Sequence, residues 1–482
     1  MKAFVKICFI ILSSTVYSAG LGGYYEVQTR FAEDGTWQLF EPSHRVELHL
    51  NANPWDNSEV FTKFYAELSR TQDNDALRQF HEYTLLEGHL KYRWPQHFEI
   101  TMFSRENRFW FPQGLFELVN PDQLTDGGNA QGARVDFWDV GPISGVGYYS
   151  DFSNSGGEDA LAGRLYAPLF RDRVRLSAIT GRKDWSGSTS DYNSFMSGNI
   201  GLSLGRLLPF LKAFGNIDIE GQVATSRIPL EPENAEDIAW SAEFRQLKFG
   251  PLELQAGYHD FGLDFRSYLS RQFDYEQKYN EEGFYGRAVY FFTEKAINLY
   301  GGYIETHAPQ NRSAYVSLTN PERISREAYG EIYVEWVNDI KSKVRYKYYK
   351  GWDPNYNDYQ EYPEVLGEIS VENRLAKIKG QVRFKDIGTD YQIIATGLEL
   401  NANLTEQLKL YARAVNVEEK YESRQTVFAQ LRYERFSPAE IFLEFGNSGD
   451  NDNDLTNDDD FVSESVSHGV NKQIKLYVKV FF

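Results

Sequence analysis

The sequence lacks several features that large protein classes depend on. Its 482 residues include a single cysteine, Cys8, which excludes a disulfide framework and a thiolate metal centre. The longest apolar run, Ile7–Leu12, is too short for a transmembrane helix, which needs roughly 20 apolar residues. The chain carries 50 Lys and Arg against 69 Asp and Glu, a formal charge of −19. Because phosphate binding requires a basic excess, nucleic acid is not expected as a partner.

The first residues have the pattern of an export signal. Lys2 and Lys6 form a positively charged start, Ile7–Leu12 an apolar centre, and small residues up to Ala19 a cleavage site. We therefore predict a signal peptide over residues 1–19 and a single mature domain over residues 20–482. Cleavage would also remove Cys8, so the mature protein would enter an oxidising compartment without a thiol.

Beyond the leader, helical periodicity is scarce and alternation with a period of two dominates. Segments of about ten residues, a length that suits transmembrane strands, repeat from Tyr24 to Phe482. The clearest are Glu327–Val337, Lys341–Tyr348 and Ala376–Lys385, each with one charged face and one mainly apolar face. Aromatic residues make up 16% of the chain, which argues against disorder.

The connections between these segments are of two kinds. Short turns, such as those near Pro95, Pro142 and Gly250, alternate with longer polar connections. The longer ones lie near residues 71–83, 107–131, 227–236, 261–281, 307–325, 352–363 and 448–469. The pattern predicts an all-β fold, a single transmembrane antiparallel up-and-down β-barrel of about 24 strands, within roughly 18–26, with short periplasmic turns and long extracellular loops.

The last nine residues form an unusually regular strand that ends in an aromatic residue. Ile474, Leu476, Val478, Val480 and Phe482 share one apolar face. Here the sequence resembles the C-terminal strand of Gram-negative outer-membrane β-barrels. That resemblance implies an outer-membrane location, contact with lipid and lipopolysaccharide, and an assembly signal, Tyr477, Val480 and Phe482, that the barrel-assembly machinery reads.

Charged side chains of opposite sign occupy neighbouring strands and are predicted to line the lumen. This lumen charge ladder comprises Glu327, Glu331, Glu335, Lys341, Lys343, Arg345, Lys347, Glu368, Glu372, Lys379 and Arg383. Cross-strand pairs of opposite charge stabilise a sheet by roughly 0.2–1 kcal/mol each. Two interpretations stay open: a structural ladder, or a track for a charged or polar solute.

One connection is too apolar for an ordinary surface loop. Residues 107–131 contain the predicted pore constriction loop, whose proposed site residues are Arg108, Phe109, Trp110, Phe111, Phe116 and Glu117. The loop would fold into the barrel and narrow it, with aromatic faces toward sugar rings. The alternative is a loop that packs against the lumen wall or a neighbouring subunit of a homo-oligomer. In placement it resembles the inward loop of porins, and Asn120-Pro121-Asp122 is similar to a stretch of carbohydrate- and alginate-type porins.

Signals for bound ions and for catalysis are sparse. Asp450, Asp452 and Asp454 are spaced like the start of a calcium loop, but Leu455 stands where that loop requires glycine. A solvated acidic loop is the alternative, and no other cofactor is expected. None of the eight histidines lies in a metal-binding motif. We therefore predict no catalytic residues and no enzyme.

These observations together predict an outer-membrane porin or channel for passive diffusion of small hydrophilic solutes, saccharides among them. The main alternative is a barrel that exports or assembles a surface polysaccharide or another macromolecule, and a third is a surface enzyme. A plug-containing receptor is disfavoured, because the strands begin directly after the predicted leader.

Overall fold

The computed structural model describes most of the chain from Ala19 to Phe482. It does not cover residues 1–18, 35, 74–75, 95–96, 106–109, 126–128, 153–157, 185–191, 209, 212–216, 231–232, 263, 271–280, 293–295, 308–323, 338, 354–357, 390–391, 422, 437 and 447–472. The predicted leader therefore lies almost wholly outside the described residues, as do Arg108, Phe109 and the three aspartates of the predicted calcium loop. Those assignments stay predictions.

The described chain consists almost entirely of 24 antiparallel strands. They are β1 (Ala19–Asp34), β2 (Thr36–Ala52), β3 (Ser58–Asp73), β4 (Ala76–Trp94), β5 (Phe98–Ser104), β6 (Gln131–Val140), β7 (Ile143–Phe152), β8 (Glu158–Leu169), β9 (Val174–Asp184), β10 (Tyr192–Ser203), β11 (Asp218–Leu230), β12 (Glu233–Phe249), β13 (Leu252–Phe261), β14 (Glu281–Phe292), β15 (Ile297–His307), β16 (Ile324–Val337), β17 (Ile340–Asp353), β18 (Asp358–Glu372), β19 (Ala376–Lys385), β20 (Ile393–Asn403), β21 (Leu408–Glu418), β22 (Ser423–Phe436), β23 (Ala439–Phe445) and β24 (Gln473–Phe481).

Two helices of one turn accompany the strands, α1 (Pro121–Leu124) and α2 (Leu204–Leu207). In the part of the chain that the structure covers, no helix is long and apolar enough to span a membrane.

Every strand pairs with its neighbour in the sequence, and the sheet closes on itself. The first strand pairs with the last from Tyr24 opposite Phe481 to Ala32 opposite Gln473. Closure satisfies the backbone hydrogen bonds that an open edge would leave unpaired in lipid. The predicted all-β up-and-down barrel of about 24 strands is confirmed.

Turns on the two rims differ in length. On one rim, which we call the short-turn rim, successive strands are joined by turns of a few residues, apart from the connection between β10 and β11 that contains α2. The other, the long-loop rim, holds the longest connections, after β5, β13, β15 and β23.

For three segments, the prediction of a long connection is wrong. Residues 71–83, 227–236 and 352–363 are mostly strand, and in the first of these Asp73 lies opposite Ala76. The sequence of these hairpins is rich in polar residues, so the alternation that marks a strand fades while backbone pairing continues.

The pairing register assigns each side chain to one of two faces. One face exposes large apolar residues such as Met102, Val223, Val344 and Tyr346, as a lipid-facing surface requires. The other face is polar over most strands but apolar where two connections fold back onto it. It is therefore the inner wall of the barrel.

Candidate functional site

The predicted constriction loop lies inside the barrel. Phe111 and Phe116 are buried in one apolar cluster with the inward side chains Tyr148, Phe195 and Phe261. The rings of Phe111 and Tyr148 are 6.1 Å apart, and those of Phe116 and Phe261 5.5 Å. We call residues 110–125 the first inner loop. Its apolar side chains cover inward residues of β5 and β7–β13.

Gln222 on β11 fixes this loop to the wall by hydrogen bonds. Its Oε1 accepts from the backbone N–H of Leu115 at 2.5 Å and of Phe116 at 3.3 Å. Its Nε2 donates to Ser197 Oγ at 2.9 Å. Gly114 approaches so closely that a Cβ there would overlap the Gln222 side chain, so a residue without a side chain is needed at this contact.

A second connection, which the sequence analysis treated only as a long polar loop, completes the inner structure. Residues 262 and 264–270, which we call the second inner loop, follow β13 and place Phe265 and Leu269 in the same apolar cluster. Neither side chain is exposed. In the sequence, only the apolar residues within an otherwise polar connection could have indicated this element.

The two inner loops are joined mainly through backbone groups. Asn120 N–H donates to the Leu269 carbonyl at 2.5 Å. Ser267 Oγ donates to the Leu118 carbonyl at 2.6 Å, and Ser270 Oγ to the Glu117 carbonyl at 2.9 Å. Both loops therefore form one layer, which we call the inner layer.

The remaining predicted loop residues have different environments. Trp110 is 70% exposed. Glu117 accepts from Asn120 Nδ2 and from Ser270 Oγ, both at 3.3 Å, so its carboxylate takes part in joining the two loops. In the Asn120-Pro121-Asp122 stretch, Asn120 caps α1 by accepting from the Asp122 N–H at 2.9 Å, which gives that motif a local structural role.

The charge ladder lies on the inner wall away from the inner layer. Glu368 on β18 forms ion pairs with Lys343 of β17 at 3.7 Å and with Lys379 of β19 at 3.3 Å. Glu364 likewise lies between Arg345, at 3.4 Å, and Arg383, at 2.7 Å. We call these six side chains the charged cluster; Glu364 was not among the predicted ladder residues.

The other ladder residues extend this arrangement. Lys347 Nζ lies 3.0 Å from Glu327, and both side chains stay more than a quarter exposed. The register places Glu331 opposite Arg345, Glu335 opposite Lys341, and Glu372 opposite Lys377. The structure thus brings together the ladder residues that the sequence analysis singled out.

Histidines form a second polar patch on the inner wall. The Phe61 ring lies between those of His49, at 6.1 Å, and His89, at 5.5 Å. His49 Nε2 is 2.6 Å from Glu47, and His89 Nε2 is 3.5 Å from Glu59. Among the described residues, no group of three His, Cys, Asp or Glu side chains could hold a metal ion.

The predicted assembly signal divides between the two faces of β24. Val480 points outward, as does Phe482, whose side chain is exposed. Tyr477 points inward, stacks on Phe442 at 4.3 Å and donates to Glu444 at 2.9 Å. Backbone bonds between Gly23 and Phe482, at 3.0 and 3.1 Å, tie the last residue to β1.

Comparison with known proteins supports the architecture. No protein-family model matches the sequence, and no curated protein is significantly similar to it. Among solved structures, one chain of a P pilus tip assembly intermediate of E. coli aligns with 97% of this chain. The alignment covers 61% of that chain, at a TM-score of 0.57 and 9% sequence identity. The siderophore receptor PirA from Acinetobacter baumannii aligns with 96% of this chain and 81% of its own, at a TM-score of 0.49 and 8% identity. The P pilus usher (PapC) translocation pore aligns with 96% of this chain over 99% of its own length, at a TM-score of 0.46 and 9% sequence identity. At these identities only the fold is comparable, and the alignment with the P pilus assembly intermediate supports the fold alone.

Proposed function

We propose that the chain is an outer-membrane channel through which small hydrophilic solutes, saccharides among them, diffuse passively. The main support for this proposal is that two sides of the barrel interior are lined by different kinds of side chain. The inner layer covers the wall from β5 to β13, whereas the wall formed by β16–β19 presents ion-paired side chains that keep contact with water. Solute would pass between the inner layer and this charged wall, with selection by size and charge.

The width of the barrel supports a water-filled passage. Barrels of about 16–18 strands already enclose an aqueous channel, and diameter grows with strand number. A 24-stranded barrel is wider, so it can hold the inner layer and still leave a lumen. Nothing in this mechanism requires a chemical step, and we propose no enzymatic role.

Liposome swelling with neutral saccharides of increasing size tests the proposal. Liposomes that contain the purified chain should swell fastest with a monosaccharide and progressively more slowly with di-, tri- and tetrasaccharides. Liposomes without protein are the control. Swelling no faster than that control for every sugar, together with no conductance steps in a planar bilayer, would overturn the channel proposal.

The large strand number also favours a second candidate, a barrel that exports or assembles a macromolecule. This role needs a lumen that admits polymers when its inner layer moves. Polyethylene glycols of graded size distinguish the two functions, since they lower conductance only when they enter the pore. Exclusion of all but the smallest polymers favours the small-solute channel, and entry of large ones favours macromolecular transport.

A further inference from the structure

Tyrosine side chains line the inner wall between the inner layer and the charged cluster. They point inward from four successive strands and are all partly exposed. Ile304 of β15, an inward apolar side chain that is 39% exposed, lies among them. We call this set of tyrosines the tyrosine strip. It comprises Tyr285 on β14, Tyr300 on β15, Tyr329 and Tyr333 on β16, and Tyr349 on β17.

The strip runs along the depth of the barrel rather than around it. The register places Tyr300 at the level of Glu331 and Tyr349 at the level of Glu327. With the two tyrosines of β16 itself, the strip therefore occupies four successive inward levels of that strand. Six positions of β16 separate Tyr333 from Glu327, which is roughly 20 Å at the usual strand rise per residue. A linear solute could contact several of the rings at once.

Two rings of the strip rest on glycines of the neighbouring strand. Tyr329 lies opposite Gly302, and Tyr285 lies opposite Gly257. A Cβ on either glycine would overlap the ring, so each ring covers the bare backbone of its partner. A ring held against the wall in this way turns its other face toward the lumen. Among the described residues, the apolar cluster of the inner layer includes no side chain from β14–β17.

Hydrogen-bonding groups of both kinds flank the rings. Glu331 lies opposite Tyr300, and Lys347 lies opposite Tyr329. Arg287 of β14, which is exposed, lies at the same depth as Tyr329. Carboxylates accept hydrogen bonds, whereas ammonium and guanidinium groups donate them. Inward carboxylates of β16 and β18 face cations of β17 and β19, so this wall suits hydroxyl groups, which both donate and accept, better than a solute of one charge.

We infer that the tyrosine strip is a binding path for linear, uncharged oligosaccharides, whose sugar rings stack on the tyrosines. The inference rests on the proposed channel function and deepens it by naming the solute class. The C–H groups on one face of a pyranose would contact an aromatic ring, while the hydroxyls at its edge would bond to the flanking charged groups. Sites for small molecules combine aromatic surface with a few polar groups in this way.

Calorimetry on the purified full chain, in a detergent without a sugar headgroup, tests this inference without requiring conduction. Maltohexaose should bind saturably and at least about tenfold more tightly than maltose, because the longer chain contacts more rings. Sorbitol is an acyclic polyol that offers hydroxyl groups but no ring to stack. It should show no saturable binding.

Variants locate the binding on the strip. Tyr300→Ala/Tyr329→Ala removes two neighbouring rings and should weaken maltohexaose binding about tenfold. The matched control, Tyr166→Ala/Tyr411→Ala, removes two inward tyrosines of other sectors, on β8 and β21, and should bind maltohexaose as the wild type does. Should the double variant in the strip fail to fold, Tyr300→Leu, which keeps an apolar side chain without an aromatic face, provides the same comparison.

The outcomes separate this inference from the channel proposal. Absence of saturable maltohexaose binding, equal affinity for maltose and maltohexaose, or equal weakening in the control would overturn the oligosaccharide path even if the barrel conducts. Length-dependent binding by a barrel that neither conducts nor swells liposomes would support the path and overturn the channel.

Discussion

At the residue scale, the side chain of Gln222 attaches the first inner loop to the barrel wall by hydrogen bonds. Its buried amide oxygen is the shared acceptor for the backbone N–H groups of Leu115 and Phe116. A buried donor that loses its partner costs about 1–3 kcal/mol. Gln222→Ala should therefore loosen the first inner loop and raise the open-channel current noise and mean conductance.

Gln255→Ala is the control for that prediction. Gln255 also points inward, but its amide donates to Glu243 at 2.6 Å on the wall. The current of this control should match that of the wild type. Identical traces for Gln222→Ala and the wild type would show that these hydrogen bonds do not hold the loop.

Two adjacent residues of β19 test the assignment of faces. Gln381 is buried on the inner wall and donates to Glu368 at 2.7 Å, whereas Val382 belongs to the lipid-facing side. A cation at mid-depth in lipid costs roughly 2–4 kcal/mol. Val382→Arg should thus lower the folded fraction, measured by heat-dependent migration on a gel, while Gln381→Arg, placed beside a carboxylate, should fold well. Equal folding of both variants would contradict the register.

At the scale of elements, strands were easier to predict than the connections between them. The segment Ala376–Lys385 coincides with β19, because its charged and apolar faces alternate without interruption. The hairpins near residues 71–83 and 352–363 were misassigned as loops, because their sequence is mostly polar and shows no clear alternation.

The join between the inner loops could not be predicted from local sequence. Ser267 and Leu118 lie 149 positions apart in the chain, and neither is part of a periodic pattern. The apolar content of residues 107–131 indicated a loop that avoids water, but it did not indicate its neighbour. Burial of Ser267 and Ser270 follows from tertiary contacts alone.

Deletion of Arg108–Val119 tests the predicted constriction role of the first inner loop. The change removes Phe111 and Phe116 from the apolar cluster, where each buried ring contributes about 1.5–3 kcal/mol. The closed strand pairing does not involve this segment, so the barrel should still assemble. Conductance should rise and larger saccharides should enter. Unchanged conductance in a folded deletion variant would mean that the loop does not limit the pore.

At the scale of the whole molecule, the barrel combines an acidic chain with an inner wall of mixed charge. Opposite charges on neighbouring strands, such as Glu331 opposite Arg345 and Glu399 opposite Lys379, support the ladder. The inner layer occupies the other side of the lumen. In the proposed channel, size selection would take place at the inner layer and charge selection at the wall of β16–β19.

A thiol-modification measurement tests most directly the central claim that β17–β19 line a water-filled passage. The only native cysteine is Cys8, so a Cys8→Ser background carries no competing thiol. On β18, Ser370 lies on the inner wall opposite Lys379, and the neighbouring Ile369 is exposed on the outer apolar face. The measurement follows single-channel conductance while a negatively charged, water-soluble methanethiosulfonate reagent is added to Ser370→Cys or Ile369→Cys. We predict that Ser370→Cys reacts and its conductance falls in steps, while Ile369→Cys is unaffected. Reaction at Ile369→Cys with none at Ser370→Cys, or no reaction at either, would contradict the account.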